Sequence, residues 1–193
     1  IRLVRNRESL PAIGPAPTPL SSILSLIGYN GTPVANARLA ALSAGMDLVD
    51  VNDLINESSK VHRESLRIAA SLNNSSDTTV AFPTSEIGKQ LKQVARLVKN
   101  RDALNMNRQI FFCTVDGFDT HSGQLNGQAG LFSQFSQAAR AFYDEMVVQG
   151  VADKVTQFTL SDFGRTFGPG GSGANVGSDH AWANHAFVIG GSV

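Results

Sequence analysis

The stretch "RQIFFCTVDGFDTHSGQ", residues 108–124, decides the predicted fold, because an apolar run passes directly into a turn crowded with polar side chains. The β-branched and aromatic content of "QIFFCTV" predicts a buried strand. Four polar residues follow it within a few positions: Asp116, Asp119, Thr120 and His121. Ligands of open α/β sheets lie beyond the carboxyl ends of the strands. This turn is therefore a candidate functional site.

The segments that follow this turn alternate helix and strand. "GLFSQFSQAARAFYDEMVVQG", residues 130–150, predicts an amphipathic helix with apolar residues on one side and Gly150 at its end. "KVTQFTL", residues 154–160, and "FVIGGSV", residues 187–193, predict two further strands. A strand–helix–strand order implies a right-handed crossover and a parallel pair. We expect an α/β fold whose strand–helix–strand part, residues 109–193, carries the site.

The first part of the chain, residues 1–108, is predicted to be mainly helical. A short helix is expected around residues 21–27, after a proline-rich loop. Helix is expected again over residues 34–72 with a break near Gly45. Apolar residues spaced along residues 83–100 predict an amphipathic helix. We expect one α/β domain over residues 1–193. Because the sequence lacks an initial Met and ends within a predicted strand, it reads as a fragment, incomplete at both ends.

Composition excludes several classes of protein. The 16 basic and 16 acidic residues balance, and no basic block stands out. Nucleic-acid binding is disfavoured, because contacts with phosphates need clustered Lys and Arg. The single cysteine, Cys113, excludes an intramolecular disulfide and a cysteine-rich metal site, and it reads as a core residue. No apolar run approaches the roughly 18 residues that a membrane span requires.

Two more groups of polar residues lie next to the second and third predicted strands. "LSDFGRT" places Ser161, Asp162 and Arg165 after the second strand, and a later loop places Asp179, His180 and His185 before the third strand. Parallel strands would bring these loops to one sheet edge. Carboxylates and neutral imidazoles are ligands for zinc, manganese and similar ions. The alternative is that each Asp and His pair is an ordinary surface pair.

Arg165 and the glycine-rich segment that follows it each allow two interpretations. Arg165 predicts either a bidentate contact with a phosphate or sulfate, or a salt bridge with Asp162 or another carboxylate. The glycine-rich residues 168–177 lack the lysine and hydroxyl of a phosphate-binding loop. They read as a flexible surface loop or as a mobile lid over the site.

Three motifs together resemble a known family. "GFDTHSGQ", "LSDFGRTFG" and "GSDHAWANHAFVIGGSV", in this order and spacing, resemble a large bacterial family called domain of unknown function 1501. That family is assigned to the alkaline phosphatase and sulfatase superfamily, and its members usually carry a twin-arginine export signal. The resemblance implies a three-layer α/β/α sandwich with a mainly parallel sheet. It also implies a site for one or two divalent ions such as zinc, manganese, calcium or magnesium.

The resemblance also implies roles for individual residues. Asp119 and His121 match the family's Asp-Thr-His motif, and Asp179 and His180 match its Asp-His pair, so these four are the expected metal ligands. The remaining two matches are His185, as a further ligand or general acid, and Arg165, as the anion-binding residue. Three positions depart from the family pattern: Asp162 replaces a usual Glu, and Ala181 and Ala183 replace common glycines. The nucleophile is expected upstream of residue 1.

Three functions are compatible with these features. The first is an exported, periplasmic metal-dependent hydrolase that acts on a small phosphate or sulfate ester. The second is a non-catalytic envelope protein, with a binding or structural role, on a degenerate hydrolase scaffold. The third, a phosphomutase of the same superfamily, would require a phosphosugar or phosphoglycerate.

Overall fold

A computed structural model describes residues 2–5, 8–9, 15–16, 20, 31–73, 75–191 and 193. The chain divides into two compact units, one made of residues 1–17, 77–99 and 109–193 and the other of residues 18–76 and 100–108. The elements in chain order are β1 (Arg2–Arg5), β2 (Glu8–Ser9), α1 (Pro33–Met46), α2 (Asp53–Asn73), α3 (Glu86–Lys99), β3 (Ile110–Phe112), α4 (Gln124–Val148), β4 (Thr156–Phe158), β5 (Gly164–Arg165), β6 (His180–Ala181) and β7 (Val188–Gly190). The helix expected around residues 21–27 lies outside the described residues.

The core of the first unit lies between α3 and α4. The apolar stripe of α3 is buried as its periodicity predicts. Ser85, one residue before α3, caps it by accepting a hydrogen bond from the backbone N–H of Gly88. The buried residues of this core are Val94, Ala95, Val98, Phe142, Met146 and Val151. Burial of these side chains, at roughly 25 cal/mol per Å² of apolar surface, is the main force that holds the two helices together.

Helix α4 begins earlier than the sequence predicts. It starts at Gln124, directly after Gly123, which adopts a left-handed conformation with φ of 57°. The predicted inward positions Ala139, Phe142 and Met146 are buried, whereas Phe132 nearer the start is 42% exposed. The first turns of α4 therefore lie next to the candidate site, and only its later turns belong to the core.

In the part of the chain that the structure describes, the strands form three small antiparallel sheets. β3 pairs with β1, and β1 pairs with β2. β4 pairs with β7, with Gln157 opposite Ile189. β5 pairs with β6, with Arg165 opposite His180. The molecule is thus a mixture of helices and strands, as an α/β chain predicts, and every strand pairing among the described residues is antiparallel.

The predicted parallel pair is therefore wrong for the described residues. The two strands that flank α4 are β3 and β4, and they belong to different sheets. The prediction that β3 is buried is also wrong for one of its faces, because Ile110 and Phe112 are 66% and 61% exposed. Only the side of β3 with Phe111 packs against the core, together with the neighbouring Cys113. Burial raises the pKa of the Cys113 thiol to about 11, so it stays protonated at neutral pH.

The second unit contains α1 and α2. Thr32 caps α1 by accepting a hydrogen bond from the N–H of Ala35, and Pro33 occupies the first helical turn. The predicted break comes slightly after Gly45, because α1 continues to Met46. Arg67 of α2 pairs with Glu64 and donates hydrogen bonds to the carbonyls of Ala103 and Leu104. None of the helices in the described part of the chain is long and apolar enough to cross a membrane.

Candidate metal centre

Two loop segments build the candidate site. The first is the aspartate loop, residues 113–123, which joins β3 to α4. The second is the ribbon, residues 164–181, whose two arms begin as β5 and end as β6. The arms stay paired beyond the strands, because Thr166 N–H donates to Asp179 O at 2.9 Å, and Gly170 and Gly177 bond to each other. The glycine-rich segment is thus closed by backbone hydrogen bonds.

The start of α4 ties these two segments together. The backbone N–H of Gln124 donates to Val176 O at 3.0 Å, and its side-chain Oε1 accepts from the Ser178 hydroxyl at 2.6 Å. Gln128, one turn later, donates to the hydroxyl of Thr120 at 3.0 Å. The bond to Val176 O satisfies one of the backbone N–H groups that have no partner within the helix at its start. These bonds also hold the aspartate loop and the ribbon against each other.

Gly177 is the point of closest backbone contact. A Cβ at this position would lie 2.1 Å from the carbonyl carbon of His121 and 2.5 Å from the nitrogen of Ser122. These atoms belong to the backbone, which cannot rotate aside as a side chain can. Only glycine therefore allows the ribbon to approach His121 this closely.

One carboxylate oxygen, Oδ1 of Asp119, is the centre of the site. It lies 2.9 Å from Nε2 of His180 and 3.0 Å from Nε2 of His121. The Nη2 of Arg165 donates to the same oxygen at 2.6 Å. The pKa of Asp119 is lowered, first by the hydrogen bond with His180 and then by the charges of His180, His121 and Arg165, which together outweigh desolvation. Asp119 is therefore ionised at neutral pH.

His121 lies between two carboxylates. Its Nε2 faces Asp119, and its Nδ1 lies 3.1 Å from Oδ1 of Asp179. A neutral imidazole has one N–H donor and one lone pair. If Nδ1–H donates to Asp179, the lone pair of Nε2 points towards Asp119. A cation between these atoms would satisfy both the lone pair and the carboxylate.

Aromatic stacking fixes the orientation of the second histidine. The ring of His180 stacks on Phe163 with centroids 4.9 Å apart and an interplanar angle of 12°. The rings of His121 and His180 stack at 5.2 Å. The side chains of Asp119, His121 and His180 remain 51–55% exposed. The cluster is thus held in place from behind and open to solvent in front.

The residue types and distances fit a metal ion. Asp119, His121 and His180 each offer one ligand atom, and these atoms lie within 4.8 Å of one another. Ligands at about 2.1 Å from a shared zinc ion are roughly 3 to 3.4 Å apart, close to the two Asp119–His distances. One oxygen and two imidazole nitrogens suit zinc or manganese better than calcium, which prefers oxygen ligands.

The structure brings together five of the six residues predicted from sequence. Asp119, His121 and His180 form the cluster, Asp179 contacts it through His121, and Arg165 contacts it through Asp119. His185 is exposed and is not a member of the cluster found among the described residues. Whether Asp179 and His185 bind metal stays a prediction.

Four supporting residues were not predicted from the sequence to contribute to the site. They are Gln124, Phe163, Gly177 and Ser178. All four lie within the motifs already recognised: Gln124 ends "GFDTHSGQ", Phe163 lies in "LSDFGRTFG", and Gly177 and Ser178 open "GSDHAWANHAFVIGGSV". The signal for them was therefore present, but a one-dimensional motif does not show which of its residues face the site.

The comparison with family models agrees with the three sequence motifs. A model described as protein of unknown function (DUF1501) matches residues 35–193. The chain belongs to this family. The DUF1501 match includes both the aspartate loop and the ribbon, which confirms the resemblance drawn from those motifs. No curated protein and no solved structure matches the chain significantly.

Proposed function

We propose that the protein is an exported metal-dependent hydrolase of phosphate or sulfate esters, with a divalent ion held by Asp119, His121 and His180. The observation that supports this proposal most directly is the convergence of two imidazole nitrogens on one carboxylate oxygen at 2.9 and 3.0 Å. Such an ion, when bound, polarises an ester oxygen and lowers the pKa of an attacking hydroxyl or water. Export, and the three-layer sandwich of the superfamily, are parts of this proposal that rest on the resemblance.

The residues of the cluster have distinct tasks in this proposal. Asp119 stays ionised, so its oxygen is available as a ligand without loss of a proton. Asp179 accepts the Nδ1–H of His121 and so presents Nε2 to the ion, which is the usual arrangement of a carboxylate behind a ligating histidine. Phe163 limits rotation of the His180 ring. A substrate reaches the cluster from its exposed side.

A second candidate function is a non-catalytic envelope protein on the same scaffold. The observation that favours it is the ion pair between Arg165 and Asp119, because a guanidinium already balances the charge of the central carboxylate. In this alternative, Asp119, His121 and His180 form a hydrogen-bonded cluster that stabilises the two loops. The protein would then bind a partner or maintain envelope structure without turnover.

Hydrolysis assays distinguish the two functions. The wild-type protein is treated with chelator, reloaded separately with zinc, manganese, magnesium or calcium, and assayed with 4-nitrophenyl phosphate and 4-nitrophenyl sulfate. The hydrolase proposal predicts metal-dependent turnover that Asp119→Asn reduces by at least about 100-fold. His62→Ala is the matched control, because His62 is an exposed histidine on α2. Metal binding without turnover in any condition would favour the non-catalytic function.

A further inference from the structure

We propose that Arg165 is a positioning residue of the metal centre. Its guanidinium fixes the peptide groups that immediately precede Asp119 and Asp179 in the chain. This inference rests on the proposed metal-binding function. Arg165 contacts the cluster through Asp119. The inference assigns to Arg165 a task different from direct capture of an anionic substrate.

The contacts of the guanidinium carry the inference. Nη2 donates to Phe118 O at 3.1 Å, and Nη1 donates to Ser178 O. Phe118 O belongs to the peptide group that contains the nitrogen of Asp119. Ser178 O belongs to the peptide group that contains the nitrogen of Asp179. One planar side chain thus holds the peptide groups that precede the two acidic residues, which lie on different loops.

The same guanidinium also holds the side chain of Asp119. Its Nη2 lies 2.6 Å from Oδ1, the oxygen that both histidines approach. The guanidinium is a rigid fork of donors, so bonds to two carbonyls and a carboxylate fix these groups relative to each other. A lysine ammonium is a compact charge and cannot span the same three acceptors.

Arg165 is itself held firmly. Its backbone pairs with His180 across the ribbon, and its N–H donates to Ala183 O at 2.7 Å. The guanidinium carbon lies 5.0 Å from the centre of the Phe163 ring. The side chain is only 14% exposed. A residue so fixed can set the geometry of the groups around it before a ligand arrives.

The hydrogen bonds that Arg165 makes within the protein leave few of its N–H groups available to a substrate anion. Both terminal nitrogens donate to protein groups, and Nε is buried without a partner among the described residues. An anion would have to break these bonds to be held bidentately. Positioning of the two loops agrees with the observed contacts without any rearrangement.

The test compares Arg165→Lys with wild type, and Arg140→Lys serves as the matched control. Arg140 is an arginine on α4 that is 76% exposed and pairs with Asp144. Zinc affinity is measured by calorimetry, and the coordination geometry is followed by the visible spectrum of the cobalt-loaded protein. Hydrogen exchange of the metal-free protein is measured over residues 115–124 and 176–181, with α3 and α4 as internal references.

The inference predicts a zinc affinity lower by about 10- to 100-fold in Arg165→Lys, an altered cobalt spectrum, and faster exchange in those two segments only. Arg140→Lys should match wild type. Unchanged zinc affinity and cobalt spectrum in Arg165→Lys would overturn the inference while leaving the proposed function intact. If wild type itself binds no metal, the proposed function fails, and the exchange data alone report whether Arg165 fixes the loops.

A measurement on the unaltered protein covers the case in which Arg165→Lys does not fold. A guanidinium fixed by three acceptors rotates slowly about its Cζ–Nε bond, so its two Nη atoms give separate nitrogen signals in the NMR spectrum. We expect separate signals for Arg165 and one averaged signal for exposed arginines such as Arg140. An averaged signal for Arg165 would overturn the inference.

Discussion

Gly177 packs directly against the backbone of His121, so that a Cβ on Gly177 would lie 2.1 Å from the carbonyl carbon of His121. This contact joins the ribbon to the aspartate loop at the residue that offers a nitrogen to the cluster. The position of His121 therefore depends on the absence of a side chain 56 positions later in the chain.

We predict that Gly177→Ala separates the two loops. The new methyl group would overlap backbone atoms, and relief of such overlap typically costs about 1 to 3 kcal/mol of stability. Because His121 moves with its loop, metal affinity should fall as well. Urea unfolding and calorimetric metal titration measure the two effects. Gly168→Ala is the control, since a Cβ at Gly168 meets no atom within 4 Å. Equal metal affinity in the two variants would contradict the prediction.

A second prediction tests whether Asp179 only accepts a hydrogen bond from His121 or binds the metal directly. If Asp179 only accepts a hydrogen bond from His121, the amide oxygen of Asp179→Asn can replace it, and metal affinity should fall by no more than about 10- to 100-fold. Asp179→Ala removes the acceptor and should lower the metal affinity further than Asp179→Asn does. Calorimetric titration with zinc compares the two variants. Complete loss of binding in Asp179→Asn would instead make Asp179 a metal ligand.

A third prediction concerns the buried carboxylate of Glu145. It is 0% exposed, and its Oε2 accepts hydrogen bonds from the backbone N–H groups of Thr79 and Val80 at 2.9 and 2.8 Å. Glu145→Ala leaves both donors without this acceptor, and each unsatisfied group costs about 1 to 3 kcal/mol. We expect a loss of about 2 to 6 kcal/mol of unfolding free energy in urea. Glu57→Ala, at an exposed glutamate paired with Lys60, should change stability by less than about 0.5 kcal/mol.

A fourth prediction concerns acid stability. Burial acts to raise the pKa of Asp77, but the hydrogen bonds from Lys92 and Thr78 and the charges of Lys92 and Arg96 outweigh it and lower the pKa. Because the pKa of Asp77 is lower in the folded state, ionised Asp77 stabilises the fold at pH values above about 3.9, the ordinary pKa of an aspartate. That stability is lost as the pH falls through the folded pKa.

Urea midpoints of wild type and Asp77→Asn between pH 2 and pH 7 test this expectation. Wild type should be the more stable above about pH 5, and the difference should shrink to nothing in strong acid. Asp102→Asn, at a side chain that is 90% exposed, controls for loss of a surface carboxylate. A wild-type advantage that is independent of pH would contradict the assigned cause.

The sequence could predict the helices because their signals are local. The apolar stripe of α3 and the later turns of α4 are periodic, and both are buried as expected. Strand pairing depends on distant residues. β3 pairs with Arg2–Arg5, a segment in which no strand was predicted, and β5 and β6 are too short to show a pattern. The parallel pair was inferred from element order alone, and that inference failed.

Five of the six residues named from the sequence lie close together in the structure, but for a different physical reason than expected. The loops were expected to meet because parallel strands end at one sheet edge. They meet instead because the antiparallel ribbon places Arg165 opposite His180 and because Gly177 packs against His121. The sequence did not identify which carboxylate would pair with Arg165. The three-dimensional structure identifies Asp119 as the partner.

Metal binding by the wild-type protein and by His180→Ala is the measurement that tests the central claim most directly. Both proteins, purified without chelator and reconstituted with zinc or manganese, are analysed for metal content, with His62→Ala as the control at an exposed histidine outside the cluster. The proposed metal centre predicts near-stoichiometric metal in wild type and His62→Ala and loss of that metal in His180→Ala. Equal metal content in all three proteins, or none in any of them, would contradict it.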